Sequence, residues 1–229
     1  MNSASLVVAF DLDGTLFNST PILGPAYQTA VAAANHDRRG VGLPTLSSPS
    51  TAEVLHFVGR PVKEIFAGLF PGESEPVRAA LAQGVLDDLC SRIRRREAEL
   101  YPGARELLVS LRRLGHPLVI VSNCRRAYLE AISAAFSLDE LLEAARCNED
   151  APELGKPGLL KSLLAGRRGV MVGDRASDGE AARFAGVPWI GCDYGHAHDP
   201  AADELRGADL VVDSIAGIQD AVATLMAAS

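Results

Sequence analysis

Leu6-Val7-Val8-Ala9-Phe10-Asp11-Leu12-Asp13-Gly14-Thr15-Leu16 is the stretch whose reading decides the architecture. A short apolar run with β-branched residues, ending abruptly at a charged residue, reads as a strand of a parallel sheet covered on both faces. Asp11 and Asp13 then stand at the C-terminal end of that strand. Side chains two apart on a strand share a face, so these carboxylates bring like charges together unless a cation lies between them. The competing reading is a surface Asp-Gly turn closing a hairpin, but no alternating strand follows Thr15 to complete one.

Working outward, helix and strand patterns alternate from residue 103 onward. A helix over 104–114 precedes a strand at 117–122 and a helix over 125–136. Another helix over 158–164 leads to a strand at 169–173, and a helix over 178–185 leads to a strand at 188–192. A strand at 210–212 precedes the last helix. Strands spaced by helices predict right-handed crossovers and a doubly wound, Rossmann-like parallel sheet, with the ligand site beyond the strand C-termini.

Between Leu16 and Tyr101 no strand pattern appears, whereas residues 26–35, 51–58, 62–69 and 75–99 carry helical periodicity. This predicts an α/β core of residues 1–17 and 101–229, interrupted by an all-helical cap of residues 18–100. The entry Asn18-Ser19-Thr20-Pro21 offers caps and a helix-starting proline, and the return Tyr101-Pro102-Gly103 breaks the long helix. Residues 37–50, rich in Gly, Pro and Ser, read as a loop within the insert.

At 229 residues and 48% hydrophobic content, the chain can bury one good core or a core with a smaller appended unit. A net charge of -7 argues against nucleic acid and anionic membrane as partners, since phosphate-backbone binding runs on clustered Lys and Arg. Cys90, Cys124, Cys147 and Cys192 are far apart and form no CxxC pair, which points to neither a zinc site nor a disulfide framework. A reducing cytoplasm is the expected compartment, with no targeting segment and no membrane span in view. Either a monomer or a homodimer is compatible with these features.

The predicted strand ends carry more polar groups than packing requires. Ser122 and Asn123 end one strand, Asp174 ends another, and Asp178 follows four residues later. A helix starting near Arg175 lets Asp178 face the same cleft as Asp174. Lys156, one of three lysines in the chain, stands before a helix. Asp11-x-Asp13-Gly14-Thr15, Ser122, Lys156 and Asp174-x-x-x-Asp178 together resemble the four motifs of the haloacid dehalogenase superfamily of phosphohydrolases, in order and across the whole core. The insert resembles that family's helical cap, placed between the first and second motifs. Only 33 residues separate Ser122 from Lys156, too few for the family's alternative α/β cap.

The resemblance implies a Mg²⁺-dependent phosphatase acting on a small phosphorylated metabolite, of phosphoglycolate or sugar phosphate type. It implies Asp11 as the nucleophile that forms an aspartyl-phosphate and Asp13 as the general acid and base. Asp11, the Asp13 backbone carbonyl, Asp174 and Asp178 are the implied metal ligands, and Thr15, Ser122, Asn123 and Lys156 the implied phosphoryl-binding groups. The physics agrees with such a cast. A carboxylate approaching a phosphate dianion meets about 8 kcal/mol of repulsion, taking ~4 kcal/mol per charge pair at ~4 Å and an effective dielectric of ~20. Without compensation that costs about six decades in rate, and Mg²⁺ together with Lys156 supplies the compensation.

Arg60, in the tight connection Gly59-Arg60-Pro61 of the insert, is the expected cap contact to the substrate, while Lys63 reads as an exposed residue. Leu55, Phe57, Ile65, Phe66, Leu69 and Phe70 read as cap core. A dehalogenase needs neither the metal nor an acid at Asp13. A phosphomutase, for example of a hexose phosphate, uses the same intermediate and stays open. A phosphonate hydrolase needs a cap lysine, for which Lys63 is the only candidate. A phospho-ligand-binding scaffold requires lost catalytic groups, and none is lost. Gly158-Leu159-Leu160 and Asn18 depart from the usual family pattern, and the sequence assigns no role to Arg175, His196 or His198.

Overall fold

The structure, a computed structural model, describes residues 5–196 and 203–227; His198 lies outside them. Its strands are β1 (Val7–Phe10), β2 (Phe17–Asn18), β3 (Glu99–Leu100), β4 (Leu118–Ser122), β5 (Ala144–Cys147), β6 (Gly169–Gly173), β7 (Trp189–Cys192) and β8 (Leu210–Val212). The helices are α1 (Thr20–Gly40), α2 (Thr51–Phe57), α3 (Val62–Leu69), α4 (Glu75–Arg94), α5 (Ala104–Arg113), α6 (Arg126–Phe136), α7 (Gly155–Leu164), α8 (Ala176–Ala185) and α9 (Ile215–Ala227). Six strands form one parallel sheet in the order β5-β4-β1-β6-β7-β8.

Strand alternation explains why the sheet is wound on both faces. Val8, Phe10, Ile120, Val170 and Val172 enter one hydrophobic cluster, which also holds Leu108 of α5, Ile132 of α6 and Ile218 of α9. Their neighbours Val7, Ala9, Val119, Val121 and Met171 point the other way, onto Leu159 and Leu160 of α7 and Ala181 and Ala182 of α8. A strand buried on both sides has no polar face, which is why β1, β4 and β6 appear as unbroken apolar runs. The first cluster continues without a gap into the helical insertion through Ile22, Tyr27, Phe66, Leu81 and Ile93.

β1 lies between β4 and β6, with Phe10 level with Ile120 on one side and Val172 on the other. The strand order reverses at β1, so the loops after β1, β4 and β6 open a crevice at the switch point of the sheet.

Several elements differ from the expected ones. The insertion begins and ends in a two-stranded antiparallel pair, with Phe17 opposite Leu100 and Asn18 opposite Glu99; a two-residue strand carries no periodicity. α1 starts at Thr20 and runs to Gly40, well beyond 26–35, with Pro21 in its first turn and Pro25 inside it. A proline in the first turn removes an amide that has no helical partner in any case. α4 ends at Arg94 rather than 99, and Arg96 two residues on has φ +60, which no helix continues through. β5 went unread because Ala144-Ala145-Arg146-Cys147 is a half-exposed edge strand with no β-branched residue. Lys156 sits inside the first turn of α7, not ahead of it.

Candidate active site

The loops after the three central strands bring together groups far apart in sequence. Asp11 follows β1 and Asp174 follows β6, while Asp178 stands in the first turn of α8; all three are buried. One carboxylate oxygen from each falls within 4.8 Å of the others. Lys156, itself buried, places Nζ 2.8 Å from Asp11 Oδ1 and 2.5 Å from Asp178 Oδ1. At these distances the one ammonium is shared between the two carboxylates.

Local structure holds each group in place. Arg175 N–H donates to Asp178 Oδ2 at 2.9 Å, joining the start of α8 to its own acid. Asp174 accepts from Thr15 Oγ1 at 3.1 Å and from the His196 backbone amide at 2.8 Å. Gly14 has φ +80, and a Cβ there would collide with the Asp174 carboxylate, so the loop after β1 requires glycine at this point. Asp13, half-buried, is not part of this group of three and accepts from the Tyr128 hydroxyl at 2.8 Å.

The electrostatics follow from one lysine among several buried acids. Burial raises Asp13 to about 7, opposed by the Tyr128 hydrogen bond and aided by the charge of Asp11. Asp174 is pushed well above the usual carboxylate range by burial, then by Asp11 and Asp178. Asp178 is also raised by burial, with Lys156 opposing. Burial pulls on the Lys156 ammonium, but Asp11 and Asp178 outweigh it and hold the group charged. Such a cluster favours protons or a cation, and three buried carboxylates with oxygens within 4.8 Å of one another are hard donors that suit a divalent ion such as Mg²⁺ or Ca²⁺.

The other expected residues are placed as follows. Ser122 is buried at the end of β4 and accepts from the Cys124 amide at 3.3 Å. Asn123 donates from Nδ2 to the Gly59 carbonyl at 2.8 Å, so its amide reaches the insertion. The Thr15 hydroxyl is committed to Asp174. Arg60 is exposed in the turn between α2 and α3, with its guanidinium 5.2 Å from the centre of the Phe57 ring. Lys63 is 89% exposed and lies 3.9 Å from Glu75, so it offers no buried amine to the site. Phe66 and Phe70 are buried and Leu55, Ile65 and Leu69 pack on them, while Phe57 is half-buried.

Three contributors carried no sequence signal of their own. Tyr128, the partner of Asp13, stands one turn into α6, six residues past Ser122. Tyr194 donates to the Thr15 carbonyl at 2.7 Å. Arg175 is buried and donates from Nη2 to the Leu55 carbonyl at 2.6 Å and from Nη1 to Glu204 at 3.3 Å. His196 Nε2 lies 3.5 Å from Thr20 Oγ1 and outside the acid cluster.

Between this cluster and α1–α4 lies a cavity of about 100 Å³, lined by Asp11, Asp13, Ser122 and Tyr128 on the sheet side. Among the described residues, no helix is long and apolar enough to cross a membrane.

Comparison with known proteins agrees with this arrangement. Residues 6–186 match the model of the haloacid dehalogenase-like hydrolases. A phosphoglycolate phosphatase of Caulobacter vibrioides is 31% identical over 96% of this chain and 91% of its own length. One of Chromobacterium violaceum is 33% identical over 93% and 94%. Among solved structures, one described as a predicted phosphoglycolate phosphatase from Haemophilus somnus superposes with a TM-score of 0.77 at 23% identity, covering 97% of this chain and 99% of that one. A phosphatase described as predicted, from Clostridium acetobutylicum, gives 0.77 at 22% identity over 96% and 99%. With the acid cluster at the switch point and its lysine in place, the chain belongs to the haloacid dehalogenase-like hydrolase family and is a phosphoric monoester hydrolase.

Proposed function

We propose that the protein is a Mg²⁺-dependent phosphatase of a small phosphorylated metabolite that works through an aspartyl-phosphate on Asp11, with residues 18–100 acting as the cap. The observation that carries this reading is the buried cluster of Asp11, Asp174 and Asp178 around a single lysine. Asp11, Asp174 and Asp178, with the Asp13 carbonyl, would hold the metal, which supplies positive charge against the phosphoryl oxygens.

Asp11 attacks phosphorus and the bond to the ester oxygen breaks. Asp13, raised to about 7 by burial, carries a proton across the neutral range and gives it to the departing oxygen. Once the alcohol has left, the Asp13 carboxylate takes a proton from the water that releases phosphate from Asp11. Tyr128 keeps Asp13 directed to this task. Lys156 offsets the charge of Asp11 and of the phosphoryl group, and the Ser122 hydroxyl joins it there. Thr15 acts one step back, by holding Asp174. Arg60 lines the cavity from its exposed side, where it would meet the substrate at the mouth rather than the phosphoryl group. A cytoplasmic location fits four cysteines that are all free.

The test is phosphate release from small phosphomonoesters, phosphoglycolate and sugar phosphates included, with Mg²⁺ and with excess EDTA. Release that needs Mg²⁺ supports the reading, and undiminished turnover in EDTA overturns it. Conversion of a sugar phosphate to its isomer, with little free phosphate, would favour a mutase while keeping Asp11 as nucleophile.

A further inference from the structure

The cavity beside Asp11 and Asp13 has two unlike walls. On the sheet side stand Asp11, Asp13, Ser122, Asn123 and Tyr128. Of these, Tyr128 donates to Asp13, Asn123 donates to the Gly59 carbonyl and Asp11 is paired with Lys156. On the side of α1–α4 the wall is hydrocarbon: Leu23 from α1, Val54 from α2, Ile65 and Phe66 from α3, Val85 and Leu89 from α4, while buried Ser19, just ahead of α1, stands with Asp13 on the polar side. Among the residues of α1–α4 that line it, only Tyr27 carries a polar atom, and its ring stacks on Phe66 with centroids 5.6 Å apart.

Two cationic side chains line the same cavity, and neither is disposed to hold a carboxylate inside it. Arg125 spends its guanidinium on Glu149 at 2.8 Å and Gln83 at 2.9 Å. Arg60 is exposed and lies over the Phe57 ring. A glycolate carboxylate pushed against the apolar wall would lose its water with no cation to replace it, and a sugar would leave hydroxyls unpaired. An alkyl or arylalkyl group loses nothing by the same move and gains the burial of its own surface.

Resting on the proposed phosphatase reading, we infer that this cavity is the leaving-group subsite and that it selects phosphomonoesters of apolar primary alcohols over those of glycolate or sugars. The reaction is the hydrolysis already written: the phosphorus–oxygen ester bond breaks, Asp13 protonates the alkoxide oxygen to give the free alcohol, and water releases inorganic phosphate from Asp11.

The test measures kcat/KM with Mg²⁺ for methyl, ethyl, butyl, hexyl and benzyl phosphate beside phosphoglycolate and glucose 6-phosphate. Each methylene buried against the wall is expected to raise kcat/KM about fourfold, until the chain outgrows the cavity. Val85→Thr, which keeps the shape of the wall and adds a hydroxyl, is expected to flatten that rise. Values independent of chain length, or highest for phosphoglycolate or the sugar phosphate, would overturn the inference and leave the phosphatase reading standing. Phosphate released from none of the esters would overturn that reading itself, and the inference with it.

Discussion

Asp11 and Asp13 lie two residues apart and have different surroundings, which suit the different roles proposed for them. Asp11, the proposed nucleophile, is buried with the Lys156 ammonium 2.8 Å from its Oδ1. Asp13 faces the Tyr128 hydroxyl and is raised to about 7, where a carboxyl group can give and take a proton at neutral pH. Asp11→Asn keeps the shape and loses the nucleophile, so phosphate release is expected to fall by about 10³-fold or more with unchanged circular dichroism. Near-native activity in that variant would sink the assignment. Tyr128→Phe removes a hydrogen bond that favours the charged form of Asp13. Asp13 then keeps its proton to higher pH, so the alkaline, falling limb of kcat/KM against pH, set by loss of the proton that Asp13 gives to the leaving oxygen, is expected to move to higher pH. A pH profile that superposes on that of the wild type would remove Tyr128 from the mechanism.

At the scale of elements, the turn between α2 and α3 is tied to two loops of the sheet. The loop after β4 holds it through Asn123 to the Gly59 carbonyl. The loop after β6 holds the end of α2, just ahead of that turn, through Arg175 to the Leu55 carbonyl, and Arg175 directly follows Asp174. Gly59 has φ +93, and a Cβ there would lie 2.9 Å from Arg175 Cγ. The loops that carry Ser122 and the Asp174 carboxylate are thereby mechanically joined to the insertion. Gly59→Ala is expected to cost about 1–2 kcal/mol by urea denaturation, from left-handed backbone strain alone. It is also expected to lower activity on the preferred ester more than on p-nitrophenyl phosphate, which needs little from the insertion. Equal losses on both substrates would show that the tie matters only for stability. The same scale holds what the primary structure concealed: β2, β3 and β5 are too short or too polar along their length to show a strand period.

At the scale of the molecule, the acid cluster makes stability depend on pH and metal together. Asp13, Asp174 and Asp178 all have folded-state values raised above the ordinary carboxylate value of about 3.9. The folded protein therefore binds more protons than the unfolded chain from about pH 4 up to about pH 7, and these groups make it less stable as pH rises through that window. In EDTA the melting temperature is expected to fall from pH 5.5 to pH 8. Mg²⁺ takes the place of the protons, so its stabilising shift is expected to be larger at pH 8, roughly 5–10 °C at a hundredfold excess over its dissociation constant. A metal shift equal at both pH values, or none, would count against a cation at these acids.

The primary structure by itself determined the parallel α/β core, the position of the helical insertion and the strand ends that carry Asp11, Ser122 and Asp174. Each of these follows from local pattern: unbroken apolar runs mean strands buried on both faces, and polar residues closing such runs stand at the mouth of the sheet. Only the tertiary structure decided that Lys156 bridges Asp11 and Asp178, that Tyr128 serves Asp13, that Thr15 holds Asp174, and that Asn123 and Arg175 grip the insertion. Apart from the link between Lys156 and Asp178, these partners stand 64 to 159 residues apart in the chain. Contacts across such distances leave no period in the sequence, because it is the packing of the sheet against α1–α4 that sets which side chains meet.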